Sequence, residues 1–161
     1  MIQCPTELTI MPTFEHTIEI AAPIEHVFEF GTDPNNWQRT TPSLTDVEVV
    51  EETDDGLRLT ATWKLLGMSL DGEMEYEIVE PNEHTVTRFE SPGMTGELHY
   101  HYSETDDGTE VVQRADYEFG DSLLDRVMAP VGKRYNERQF KNSLQTTKEL
   151  IEAEANAVIE A

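Results

Sequence analysis

The sequence predicts an α+β domain in which a curved, seven-stranded antiparallel sheet wraps around a long C-terminal helix, with two short helices after the first strand. Three observations carry this. Apolar and polar residues alternate over seven separate segments, the period of strands with one buried face. Short turns separate the last six segments, and parallel neighbours would need long crossovers, so these strands form an antiparallel meander. From Asp121 onward the apolar period becomes helical.

In TFEHTIEI, Phe14, His16, Ile18 and Ile20 alternate with Thr13, Glu15, Thr17 and Glu19, which gives the first strand. Pro23, placed at a first helical position, opens IEHVFEF, whose Ile24, Val27 and Phe28 form an apolar stripe that Gly31 ends. Asp33-Pro34 supplies a cap and a first-turn proline for a second short helix through Trp37, and Thr41-Pro42 stops it.

Six strand segments follow: LTDVEVVEE, LRLTATWKL, SLDGEMEYEIVE, EHTVTRFE, MTGELHYHYSE and TEVVQRADYEF. The turns between them are marked by Asp55-Gly56, Gly67, Pro81-Asn82, Pro92-Gly93 and Asp107-Gly108. Leu57, Leu59, Ala61, Trp63 and Leu65 share one face. So do Leu70, Gly72, Met74, Tyr76 and Ile78, opposite Asp71, Glu73, Glu75 and Glu77. Leu98, Tyr100 and Tyr102 oppose Glu97, His99, His101 and Ser103, and Val111, Gln113, Ala115, Tyr117 and Phe119 fall together. The pattern of EHTVTRFE leaves its facing open. On the last helix Phe140, Leu144, Thr147 and Ile151 recur at spacings of 4, 3 and 4. Upstream, Leu123, Leu124, Val127 and Met128 form a shorter stripe, and Pro130 with Gly132 predicts a kink or restart.

The 161 residues suit one domain, 1–161, with residues 1–12 and 156–161 expected to be flexible. Cys4 is the single cysteine, which excludes an intrachain disulfide framework and any multi-cysteine zinc site. There is no apolar run of about 18 residues, and MIQCPTELTIMP lacks a basic start, so a cytoplasmic protein without membrane insertion is expected. Acids outnumber bases 33 to 11, for a formal net charge of −22 spread along the chain. Self-repulsion of that size is tolerable where salt quenches it, and only 4 of the bases are lysine, so the composition suits a haloarchaeal kind of cytosol. The same charge argues against a nucleic-acid partner.

Seven strands with one apolar face must curl around the last helix, and a curved sheet and one helix need not fill the space between them. The stretch APIEHVFEFGTDPNNWQRTTPSL resembles the opening signature of the START/Bet v 1-like superfamily (SRPBCC). DDGTEVV, with LLDRVMAPVGKRYNERQFKNSLQTTKELIE after it, resembles the last hairpin and helix of its polyketide cyclase/dehydrase-like branch. That resemblance, from about Thr13 to Glu152, implies the helix-grip fold and a cavity for a small hydrophobic ligand such as a lipid, an isoprenoid quinone or a polyketide-like molecule, without a cofactor.

The inward faces and the expected rim nominate Trp37, Leu59, Trp63, Met74, Tyr76, Leu98, Tyr100, Tyr102, Gln113, Tyr117, Leu124 and Met128 as ligand-binding residues. Several inward tyrosines and a glutamine need partners for their polar ends, which a cavity provides more easily than a dry core. Arg88 joins them if its strand turns it inward with Glu90; turned outward, it pairs with the acidic surface. His99 and His101 are spaced to supply two metal ligands, yet they share the solvent side with Glu97 and Ser103, so no metal site is expected. His84 reads as a strand-end residue. A non-catalytic carrier is the leading reading, with a cavity of at least about 300 Å³ expected for it. A cyclase/dehydratase would instead require a convergent pair of titratable groups inside. An interaction module would show a filled interior and an exposed apolar patch.

Overall fold

The computed structural model describes residues 14–65, 67–91, 94–119 and 123–160; the side chains of residues 65, 94, 119, 123–130, 132 and 156–160 fall outside that description, as do Cys4 and the first strand's Thr13. The described residues form seven strands and three helices. In chain order these are β1 (Phe14–Ile20), α1 (Ile24–Gly31), α2 (Pro34–Thr40), β2 (Leu44–Glu52), β3 (Gly56–Leu65), β4 (Met68–Glu80), β5 (His84–Ser91), β6 (Met94–Thr105), β7 (Gly108–Phe119) and α3 (Leu123–Glu160). This is the predicted helix-grip architecture.

All neighbours are antiparallel, in the order β1-β7-β6-β5-β4-β3-β2, so the chain's first strand closes against its last and the two short helices connect the sheet's two edges. Pro23 stands one position earlier than expected, as the N-cap of α1, where its missing N–H is lost to no helical bond. Asp33 caps α2 as predicted, its carboxylate accepting from Asn35 N at 2.9 Å. Asn82 occupies the left-handed region at φ 64°, as the Pro81-Asn82 turn requires. Gly96 faces Tyr117 across the β6–β7 ladder, where a Cβ would collide with the Tyr117 side chain.

The expected restart at Pro130 does not occur: α3 is one continuous helix of 38 residues. A helical proline costs about 3 kcal/mol, which the packing of a long helix on the sheet outweighs. Helix α3 lies against β1, β3 and β7 and against both short helices. Its second half is tied down by Glu152, whose carboxylate accepts from Ala21 N at 2.9 Å and from Lys148 Nζ at 2.6 Å. Lys148 also donates to Glu19 O at 2.8 Å.

Candidate functional site

Between sheet and helices the core divides into two apolar clusters. One is centred on Leu59, Trp63, Met74, Phe89 and Tyr117, the other on Ile20, Val27, Phe30, Tyr102 and Ile151. Where they meet, Trp63, Met74, Tyr76, Phe89 and Leu98 from the first face Ile20, Val27, Phe30, Tyr102, Val111 and Leu144 from the second across a cavity of about 110 Å³. Large rings on a curved sheet do not interdigitate completely with one helical stripe, and the mismatch leaves the void.

The cavity's position follows from local geometry. Phe140, Ser143, Leu144 and Thr147 enter from α3, at the spacings that put them on one helical face. Trp37, half-buried on α2, packs edge-on against Tyr76 with centroids 5.2 Å apart, and its indole Nε1 donates to Gly31 O at 2.9 Å. The Thr41 and Ser143 hydroxyls, 2.8 Å apart, join the end of α2 to α3. The rim is therefore clamped by hydrogen bonds at both helices.

The lining is apolar with a few hydroxyls: Tyr76, Tyr100, Tyr102, Thr85 and Thr87 from the sheet. Tyr100 Oη accepts from Gln113 Nε2 at 2.9 Å, while Gln113, fully buried, has no hydrogen-bond partner for Oε1. The buried Tyr76 hydroxyl likewise makes no hydrogen bond of good geometry. Burial pushes the phenols of Tyr76, Tyr100 and Tyr102 up, opposed at Tyr76 by Thr85 and at Tyr100 by Gln113. Among the described lining residues there is no carboxylate, imidazole, amine or guanidinium. The described lining thus offers neutral hydroxyls, the Asn36 amide and ring faces, and no acid–base pair that titrates near neutral pH.

Seven of the nominated residues meet at this cavity: Trp37, Trp63, Met74, Tyr76, Leu98, Tyr100 and Tyr102. The others part from it for identifiable reasons. Leu59 faces inward but packs solidly into the first cluster at 1% exposure. Tyr117 does the same, stacked edge-on to Phe14 at 6.1 Å, and burial pushes its phenol up to about 12. Gln113 sits beside Tyr100, its direct partner across the β6–β7 ladder, fully buried and outside the lining. Arg88 takes the outward alternative and so leaves the ligand-binding set, a correction to its nomination: it points out of the convex face, 47% exposed, bonded to Glu77 at 3.1 Å and Glu97 at 3.3 Å. An unpaired guanidinium has no place in an apolar lining, and two carboxylates hold it outside. The side chains of Leu124 and Met128 lie outside the described residues.

Sequence reasoning missed Thr85, Thr87 and Phe89, which the open facing of β5 concealed. The cavity is also smaller than the expected 300 Å³, because aromatic rings occupy most of the concave side. On the convex side, His99 and His101 do face away from the cavity as expected, and His84 joins them. Burial first, then neighbouring positive charge, holds His84 and His101 below the ordinary imidazole range.

Several solved structures share this architecture. A protein of Thermus thermophilus superposes with a TM-score of 0.76 at 17% identity, covering 86% of this chain and 96% of that one. The Zhui aromatase/cyclase from Streptomyces sp. R1128 does so with a TM-score of 0.75 at 18% identity, covering 86% and 92%. A START superfamily protein from Mycobacterium smegmatis gives 0.72 at 15% identity, covering 87% and 97%. At these identities the likeness is one of fold. A search of curated protein sequences found no match. The family model described as polyketide cyclase/dehydrase and lipid transport matches residues 11–152, nearly the whole chain, and the protein belongs to that family.

Proposed function

We propose that this protein is a binding or carrier protein for a small, planar, largely apolar molecule with one or two polar groups, held in the cavity beneath Trp37. The observation that carries this reading is the lining itself: rings and aliphatic side chains around 110 Å³, with hydroxyls and the Asn36 amide as its polar groups. A dry cavity of about 150 Å³ lined by apolar side chains accommodates a benzene ring. One ring of a quinone or polyketide-like ligand fits that scale. Ligands of drug size occupy about 300–1,000 Å³, so a longer tail or a fused ring system must leave past Trp37 and Phe140, which are half-buried at the rim. The hydroxyls of Tyr76 and Tyr100 suit a carbonyl or phenol oxygen on the ring.

The lack of a near-neutral acid–base pair among the described lining residues favours carriage over cyclase or dehydratase chemistry. The exposed Asp71, Glu73 and Glu75 opposite Met74 and Tyr76 support an acidic, salt-tolerant exterior, and we infer a salt-rich cytoplasm as the working environment. Among the described residues no helix is long and apolar enough to cross a membrane.

Both tryptophans of the chain, Trp37 and Trp63, line the cavity, so intrinsic fluorescence reports on it directly. Titration with a naphthoquinone probe in molar KCl is expected to quench that fluorescence saturably, and native mass spectrometry of protein purified from its own host should show a co-purifying aromatic or isoprenoid molecule. Linear, non-saturating quenching together with ligand-free protein would overturn the reading.

A further inference from the structure

On the convex face, hydrogen bonding between β5 and β6 sets His84 directly opposite His101 and Val86 opposite His99. The three imidazoles therefore lie on one side of two adjacent strands. Their ring nitrogens approach within 4.8 Å of one another, and His84 Nε2 sits 2.9 Å from His99 Nδ1. The rings of His84 and His101 stack with centroids 4.2 Å apart. Val86, between them on the same face, is only 1% exposed, so neighbouring side chains roof it and the cluster stands on an apolar floor.

We propose that His84, His99 and His101 form a binding site for a divalent late transition metal, with Zn²⁺ as its reference ion. Neutral imidazole is the ligand that Zn²⁺, Ni²⁺ and Cu²⁺ share, whereas Mg²⁺ and Ca²⁺ prefer all-oxygen sets. Zinc–nitrogen bonds of about 2.0–2.1 Å place tetrahedral ligand atoms about 3.3 Å apart. The His84–His99 pair is already near that separation, and small side-chain rotations bring His101 in.

The partner on the far side of His99 strengthens the assignment. Glu97 Oε1 lies 2.9 Å from His99 Nε2, and a carboxylate can only accept, so Nε2 carries the hydrogen and Nδ1 presents its lone pair toward His84. Glu97 is itself held by Arg88, which Glu77 holds in turn. Carboxylate, histidine and metal in series is the usual way an outer partner fixes the tautomer and direction of a ligating ring. Three ligands leave a fourth position facing solvent, which water or a partner's side chain would fill. The site is separate from the cavity, and the proposal does not depend on how the cavity is read.

The test is a calorimetric titration of chelator-stripped, full-length protein with ZnCl₂ in molar KCl and excess MgCl₂, which occupies the acidic surface. The expected result is one saturable Zn²⁺ per chain. His84→Ala, His99→Ala and His101→Gln should each weaken binding more than the about 10–100-fold that loss of an outer partner produces, and Glu97→Gln should weaken it by about tenfold. These side chains all have solvent access, and circular dichroism is the check that each variant folds. Imidazole resonances of the three histidines, and not of His16 or His26, should shift on addition of Zn²⁺. Absence of saturable binding would overturn the proposal, and so would equal binding by the triple histidine variant, which would mean carboxylates alone hold the ion.

Discussion

Gln113 is the residue whose replacement separates a binding site from an ordinary core. It is fully buried, and its amide reaches the Tyr100 hydroxyl at 2.9 Å while its other end has no partner. Whichever way the amide is turned, one hydroxyl engages only one of its two ends. Gln113→Met keeps the length and nearly the volume, so no void opens. The substitution removes one unpaired buried group, worth about 1–3 kcal/mol, and leaves the Tyr100 hydroxyl without its amide partner, a cost in the same range of about 1–3 kcal/mol. The two nearly cancel, so the variant should unfold within about 1 kcal/mol of the wild type. Ligand binding should weaken. Without Gln113 nothing orients the Tyr100 hydroxyl toward the cavity, and the naphthoquinone affinity should fall by about five- to tenfold, the worth of one hydrogen bond. The assay is urea denaturation in molar KCl alongside the tryptophan-quenching titration. A loss of more than about 1 kcal/mol in stability would refute the reasoning, because it would show that both ends of the amide are satisfied.

Other consequences are equally open to measurement. Leu144→Ala removes a buried side chain that lines the cavity from α3; it should cost about 2–3 kcal/mol, the lower part of the range for such truncations since the site already borders a void, and should tighten binding of a two-ring probe relative to a one-ring probe. Glu152 has its pKa lowered, by Lys148 first and the Ala21 amide second, so its contribution is present above the ordinary carboxylate range and is lost as pH falls through the depressed value. Glu152→Gln should therefore cost about 1 kcal/mol at pH 7, read from urea midpoints, and the gap to wild type should close in acid. With a net charge of −22, the melting temperature should rise steadily from dilute buffer to multimolar KCl, where the Debye length falls to about 3 Å; a flat profile would sink the salt-adapted reading.

Strand β5 explains most of what the sequence did and did not disclose. Elsewhere, strict alternation assigned the faces: Met74 and Tyr76 inward, Asp71, Glu73 and Glu75 outward, as found. In HTVTRF every residue tolerates either side, and the structure buries Val86 on the convex face and Phe89 on the concave one. Yet register carries information that alternation lacks. Ser91 pairs with Met94 across a two-residue connection, and an antiparallel ladder counted back from there sets Thr87 opposite Leu98, Thr85 opposite Tyr100 and His84 opposite His101. Directly opposed residues share a face, so the inward facing of Leu98 and Tyr100 transfers to Thr87 and Thr85 and excludes Arg88 from the cavity. The same count gathers the third histidine, which a reading of H-x-H along one strand could not supply. Depth is different. Periodicity states which face Leu59, Tyr117 and Tyr100 occupy, but whether a side chain ends in packed core or at a void depends on ring volumes meeting across the sheet and helix, a property of the assembled layers and not of any one segment.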